Sequence, residues 1–147
     1  MSRLVITGAS ILNQATADIV IDSGKIVEVA KPGAADTFGA RVIDAAGLIA
    51  LPGFVDLHTH LREPGREDAE TVESGTRAAA LGGFTCVHAM ANTEPVADTA
   101  GVVEQVWRLG KEAGWCEVRP IGAVTVGLAG THMAELGAMA ASAARMR

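Results

Sequence analysis

Apolar positions fall into two regimes along the chain. Over the first fifty residues they form short runs separated by turn clusters, the signature of strands. Leu4-Val5-Ile6-Thr7 is one such run. Ile19-Val20-Ile21 and Lys25-Ile26-Val27-Glu28-Val29 flank Asp22-Ser23-Gly24, which suits a hairpin turn. Lys31-Pro32-Gly33 breaks the chain, Arg41-Val42-Ile43-Asp44 opens another strand, and Ala46-Gly47 turns into Leu48-Ile49-Ala50-Leu51. Residues 1–51 therefore predict a small β layer without evident chemistry.

Beyond Pro52-Gly53, strands alternate with stretches of helical spacing. Phe54-Val55-Asp56-Leu57-His58 reads as a strand, 62–68 as a charged loop, and about 69–81 as a helix stopped by Gly82-Gly83. Phe84 to Met90 is the next strand, Asn92-Thr93-Glu94-Pro95 a loop, and Asp98 a candidate N-cap. Val102, Val103, Val106 and Leu109 share one stripe of a helix that ends near Gly114. Glu117 to Val124 supplies a third strand, although Pro120 sits poorly inside a ladder. Thr131 then opens an Ala- and Met-rich helix expected to run to the last residue. Three β-α units in succession predict a parallel α/β architecture with right-handed crossovers over 52–147. A closed eight-stranded barrel takes about 250 residues, so this stretch accounts for part of one.

Composition narrows the function classes. The chain has 147 residues, 49% of them hydrophobic and 20% charged, which favours a packed core over disorder. A net charge of −5 argues against nucleic acid and anionic membrane as partners. No run approaches the roughly 18 uninterrupted apolar residues of a membrane helix, and the first residues reach Gly8 too soon for a signal peptide. Cys86 and Cys116 lie inside apolar runs and read as small core residues, in keeping with a reducing, cytoplasmic location.

The chemistry concentrates between Pro52 and Arg66. Side chains alternate along a strand, so Asp56, His58 and His60 point the same way, with successive members roughly 6.6 Å apart. Two imidazoles leaning together close that gap onto one ion at about 2.1 Å each. The pair ends its strand on the side where α/β barrels keep their active sites. A His-x-His pair also arises by chance, and these features alone do not choose a reaction.

The run Asp56-Leu57-His58-Thr59-His60-Leu61-Arg62-Glu63-Pro64-Gly65 resembles the metal and substrate signature of class I dihydroorotases, in the amidohydrolase superfamily. Met90-Ala91-Asn92-Thr93-Glu94-Pro95 is similar to that family's second-strand motif, in which Pro usually stands at Ala91, and Gly122-Ala123-Val124-Thr125 fits its third strand. The resemblance implies a partial (β/α)8 TIM-type barrel, about three β-α units, preceded by a small β-sandwich segment. It implies a binuclear Zn2+ centre in the complete enzyme, with His58 and His60 as metal ligands. His60, Arg62 and Asn92 become the substrate-binding candidates. The implied reaction interconverts (S)-dihydroorotate and N-carbamoyl-L-aspartate in pyrimidine biosynthesis. The remaining ligands and the general base would come from later strands, beyond residue 147. The expectation is thus an N-terminal portion, shortened by a truncation, a frameshift or the choice of expressed segment, and poorly stable and inactive alone.

Plainer readings stand beside these. Arg62 can be a solvated partner of Glu63, Glu67 or Asp68, although a guanidinium suits two-pronged carboxylate binding. Asn92 can be a turn residue as well as a substrate contact. His88 reads as a hydrogen-bonded core histidine, and His132 as solvent-facing or in contact with the preceding loop. Asp56 reads as orienting a histidine ring, and Met133, Met139 and Met146 as helix packing. The acidic loop from Glu63 to Glu70 reads as a solvated face. Rival functions are another cyclic amidohydrolase of allantoinase or hydantoinase type, a non-catalytic partner of aspartate transcarbamoylase, or a remnant with no function of its own. Homo-oligomerisation stays open.

Overall fold

The computed structural model describes residues 3–142. The chain divides into two compact units, Met1–Pro52 and Gly53–Arg147.

The first unit is one five-stranded mixed sheet. β1 (Leu4–Ile11), β2 (Thr16–Asp22), β3 (Lys25–Ala30) and β4 (Arg41–Asp44) take the order β3-β2-β1-β4, and β5 (Ile49–Ala50) also pairs with β1. β2 and β3 form an antiparallel hairpin across Ser23 and Gly24, both at positive φ. β4 runs parallel to the first half of β1, and β5 to its end. Between Ile6 and Ala9, β1 advances three residues while β2 advances two, a bulge carried by Gly8 at φ +71°. The buried Asp18 carboxylate accepts the Gly8 N–H at 2.9 Å and the Gly33 N–H at 2.8 Å. These bonds, that from Gly8 foremost, hold its pKa below the ordinary value despite burial.

The second unit is a parallel sheet in the order β6-β7-β8, built from β6 (Phe54–Thr59), β7 (Phe84–Ala89) and β8 (Glu117–Pro120). α1 (Val72–Leu81) joins the first two strands and α2 (Ala100–Ala113) the second two. Leu61, Val72, Val87, Ala89, Val106 and Val118 form the core between sheet and helices. Pro120 is tolerated because it is the last residue of β8.

α1 starts three residues later than its spacing predicts. Thr71 caps it, its hydroxyl accepting the Ser74 N–H at 3.1 Å while the Ser74 hydroxyl accepts the Thr71 N–H at 3.1 Å. Thr99, not Asp98, is the N-cap of α2. The Asp98 carboxylate instead accepts the Gly127 N–H at 2.8 Å, tying the loop after β7 to the loop after β8.

The last predicted helix is corrected most. α3 spans only Leu136–Ala141, and residues 143–147, Met146 among them, lie outside the described residues. Thr131 does not open it. A 3-10 turn (Val126–Leu128) follows β8, and Met133 then bridges to Thr125, so the segment around Thr131 is a tight hairpin-like loop. Met133 is exposed, whereas Met139 is fully buried with Ala91, Ala97, Val103, Ala123 and Ala134.

Candidate metal and substrate site

The site grows from the C-terminal end of β6. Between Asp56 and Thr59 this strand advances three residues while β7 advances two, from Val87 to Ala89. The extra residue makes a bulge, which re-aims side chains and leaves an amide outside the ladder. The Asp56 carboxylate accepts the His58 N–H at 2.9 Å. Asp56 therefore acts on the backbone of the His-x-His segment, where the sequence suggested a contact to an imidazole ring.

Beyond the bulge the His58 and His60 ring centroids lie 5.1 Å apart, edge to face at 64°. His60 Nδ1 lies 2.8 Å from Asn92 Oδ1. An amide oxygen only accepts, so Nδ1 is the donor in this contact, and in the neutral ring Nε2 then carries the lone pair. That is the tautomer a metal-binding histidine needs, with an outer partner fixing the ring. Asn92 is accordingly more than a turn residue. The chain supplies two adjacent imidazole donors, and among the described residues no group of three His, Cys, Asp or Glu side chains gathers. Two nitrogens fit part of a zinc ligand set, which takes at least three protein donors.

Arg62 follows at once, with φ at 62° and the Glu63 N–H donating to the Leu61 carbonyl at 2.8 Å. This is a γ-turn of the strained, positive-φ kind. Such a residue costs on the order of 1–3 kcal/mol and persists only where its surroundings hold it. The loop is solvent-exposed over 65–69, as expected, but its acidic groups Glu63, Glu67 and Asp68 are also engaged. The Glu63 carboxylate accepts the Val72 N–H at 2.7 Å, at the start of α1, and the Glu67 carboxylate accepts the Gly65 N–H at 2.9 Å. Asp68 pairs with Arg66 at 3.6 Å. Among the described residues Arg62 enters no ion pair, so it is an exposed guanidinium without an acidic partner.

Two loops meet here. The Glu94 N–H donates to the Pro64 carbonyl at 2.9 Å, joining the loop after β6 to the loop carrying Asn92. Gly65, at φ +110°, permits this approach, because a Cβ there would meet the Glu94 backbone, its carbonyl oxygen at 2.6 Å. The structure thus brings His58, His60, Arg62 and Asn92 to one end of the sheet. Sequence spacing missed Glu63 and Gly65, whose partners are nine and twenty-nine residues away.

The other candidates have modest settings. The His88 ring is half-buried and makes no hydrogen bond among the described residues, while its carbonyl accepts from the Thr59 hydroxyl at 2.9 Å. The expected hydrogen bond of a core histidine is therefore absent there. His132 is exposed, with its ring 3.1 Å from the Thr131 hydroxyl. Burial, then the nearby Glu117 carboxylate, pushes the Cys86 thiol pKa up, and burial does the same for Cys116, so both stay protonated near neutral pH.

The chain is similar to known proteins. A family model described as dihydro-orotase-like matches residues 47–146. The dihydroorotase of Streptomyces coelicolor is 63% identical over 98% of this chain and 33% of its own length. That of Leifsonia xyli is 64% identical over 97% and 32%, and that of Mycobacterium tuberculosis 56% identical over 88% and 30%. The chain therefore spans about a third of the length of these curated relatives. Among solved structures, an L-hydantoinase (dihydropyrimidinase) from Arthrobacter aurescens matches with a TM-score of 0.74 over 85% of this chain and 28% of that one. At 22% identity the likeness is one of fold. A D-hydantoinase from a Thermus species matches with a TM-score of 0.59 at 28% identity, over 83% of this chain and 28% of that one. With its two motifs in order and a family match across most of its length, the chain belongs to the dihydroorotase-like family.

Proposed function

We propose that this chain supplies the first metal- and substrate-binding elements of a dihydroorotase, interconverting (S)-dihydroorotate and N-carbamoyl-L-aspartate. One observation carries the reading: the His60–Asn92 bond, which joins the two family motifs and leaves His60 Nε2 free beside His58. In the same reading the three parallel strands are the opening of a (β/α)8 barrel, and the N-terminal sheet is one layer of a sandwich.

His58 and His60 would hold one ion of a zinc centre. When bound, zinc supplies Lewis-acid polarisation of the ring carbonyl and a nucleophilic water at neutral pH. Arg62, free of acidic partners, grips the substrate carboxylate in the two-pronged fashion its planar head allows. With its oxygen turned to His60, Asn92 keeps its NH2 group for the same anion. His60 borders both metal and substrate. The acidic ligand, the further histidines and the general base are expected from the two thirds of the relatives' length that this chain does not span.

The test uses the full-length protein, loaded with zinc, and follows hydrolysis of dihydroorotate. Arg62→Met is expected to raise KM about a hundredfold, the worth of a charge-assisted bidentate contact. A neutral cyclic amide such as hydantoin gains nothing from Arg62. Wild-type protein that prefers hydantoin, with Arg62→Met indifferent for both substrates, would contradict the assignment.

A further inference from the structure

The γ-turn at Arg62 raises the question of what holds it. Leu61, on one side, is buried in the core. The Arg62 carbonyl accepts the Arg66 N–H at 2.8 Å, and the Pro64 carbonyl accepts the Glu94 N–H at 2.9 Å. Glu67 holds the Gly65 N–H at 2.9 Å, and a further charge-assisted bond ties the loop to a helix: the Glu63 carboxylate accepts the Val72 N–H at 2.7 Å. Val72 is the first residue of α1, where an amide has no partner within the helix and an anion is favoured.

Glu63 is the residue next to Arg62 and its nearest competitor for a salt bridge. Its carboxylate is turned away and engaged on a helix, and Glu67 and Asp68 are engaged elsewhere too. A cation meant for an external carboxylate needs both a fixed backbone and no internal acid. Glu63 provides the two together.

We infer that Glu63 is a positioning residue: its bond to the Val72 amide fixes the γ-turn that aims Arg62, and withholds from Arg62 the carboxylate that would compete with an anionic substrate. The inference rests on Arg62 as the substrate's carboxylate clamp.

The experiment is a double-mutant cycle in the full-length protein, reading KM and kcat for dihydroorotate separately. Glu63→Ala is expected to raise KM about ten- to a hundredfold, as misplacement of a clamp does, with kcat changed by less than about threefold. Glu63→Gln keeps an oxygen for the Val72 N–H and is expected to stay within about threefold of wild type in KM. In an Arg62→Met background, Glu63→Ala is expected to add less than about twofold, because the group it positions is already gone. Should Glu63→Ala fold poorly, Glu63→Asp keeps the charge but falls one methylene short of the Val72 amide and predicts the same rise in KM. The inference is overturned if Glu63→Ala multiplies KM equally in both backgrounds, or lowers kcat with KM unchanged. It is overturned too if either variant melts earlier without altering KM. Failure of the Arg62 reading looks different: Arg62→Met itself would leave KM unchanged, and this inference would fall with it.

Discussion

The His60 ring is held by Asn92, whose oxygen sits 2.8 Å from Nδ1 and favours the proton there. Replacing Asn92 with Ala frees the ring to rotate and to place its proton on either nitrogen. Metal affinity of the full-length protein is then expected to fall about 10- to 100-fold, which a competitive chelator titration measures. Asp18 is the comparable case in the N-terminal sheet. Its folded pKa lies below the ordinary carboxylate value, mainly through the Gly8 amide, so its stabilising bonds are present above the unfolded pKa. They are lost as pH falls through the folded value. Thermal melts from neutral pH down to about pH 3 should show stability dropping at the acid end. Asp18→Asn should melt earlier at neutral pH and show a flatter acid limb. That His58, His60, Arg62 and Asn92 fall at one end of the sheet was legible in the sequence, because strand alternation and two short motifs place them there. Glu63 was not, since an acidic residue in a charged loop gives no sign that its carboxylate reaches an amide nine residues on.

Elements were legible where their signals are local. The Gly82-Gly83 stop of α1, the Gly114 end of α2 and the Ser23-Gly24 hairpin all follow from backbone demands those residues meet. Bulges in β1 and β6 were not, because the partner strand decides where a residue becomes surplus. The misplaced start of α3 has a similar cause. Helix-forming residues from Thr131 onward lose to the Thr125–Met133 bridge and to the Val124 carbonyl, which accepts the Ala134 N–H at 3.0 Å. Met139 is the buried residue of this short helix, so Met139→Ala is expected to cost about 2–5 kcal/mol by urea denaturation. Gly110 marks where α2 presses on β8: a Cβ there would overlap the Val118 side chain. Gly110→Val, an overpacking change, is expected to cost about 1–3 kcal/mol in the same experiment.

At the scale of the molecule, each unit leaves apolar surface uncovered. Ile26, Val27 and Val29 on β3 are 65%, 60% and 57% exposed, and Leu57 on β6 is 69% exposed. Ile11, Leu12, Ile19, Ile26, Val29, Ala50, Leu51 and Pro52 line an apolar hollow of about 380 Å³ in the first unit. Contiguous apolar faces of this kind call for a partner layer, and open sheet edges invite pairing with another chain. The 147-residue chain by itself is therefore expected to bind an environment-sensitive apolar dye and to self-associate on size-exclusion chromatography. A protein of the relatives' full length should do neither to the same degree. The class of fold was readable from the β-α rhythm, whereas the exposure of Leu57 and of the β3 side chains was not, because burial is decided by residues distant in sequence. What matters most is whether His58 and His60 jointly hold a cation. Anomalous diffraction from zinc-loaded crystals of the full-length protein decides this directly. The expected result is a metal peak at about 2.1 Å from one nitrogen of each ring, with Asn92 still on His60 Nδ1. A zinc peak elsewhere, with both rings hydrogen-bonded to main-chain oxygens, would contradict it.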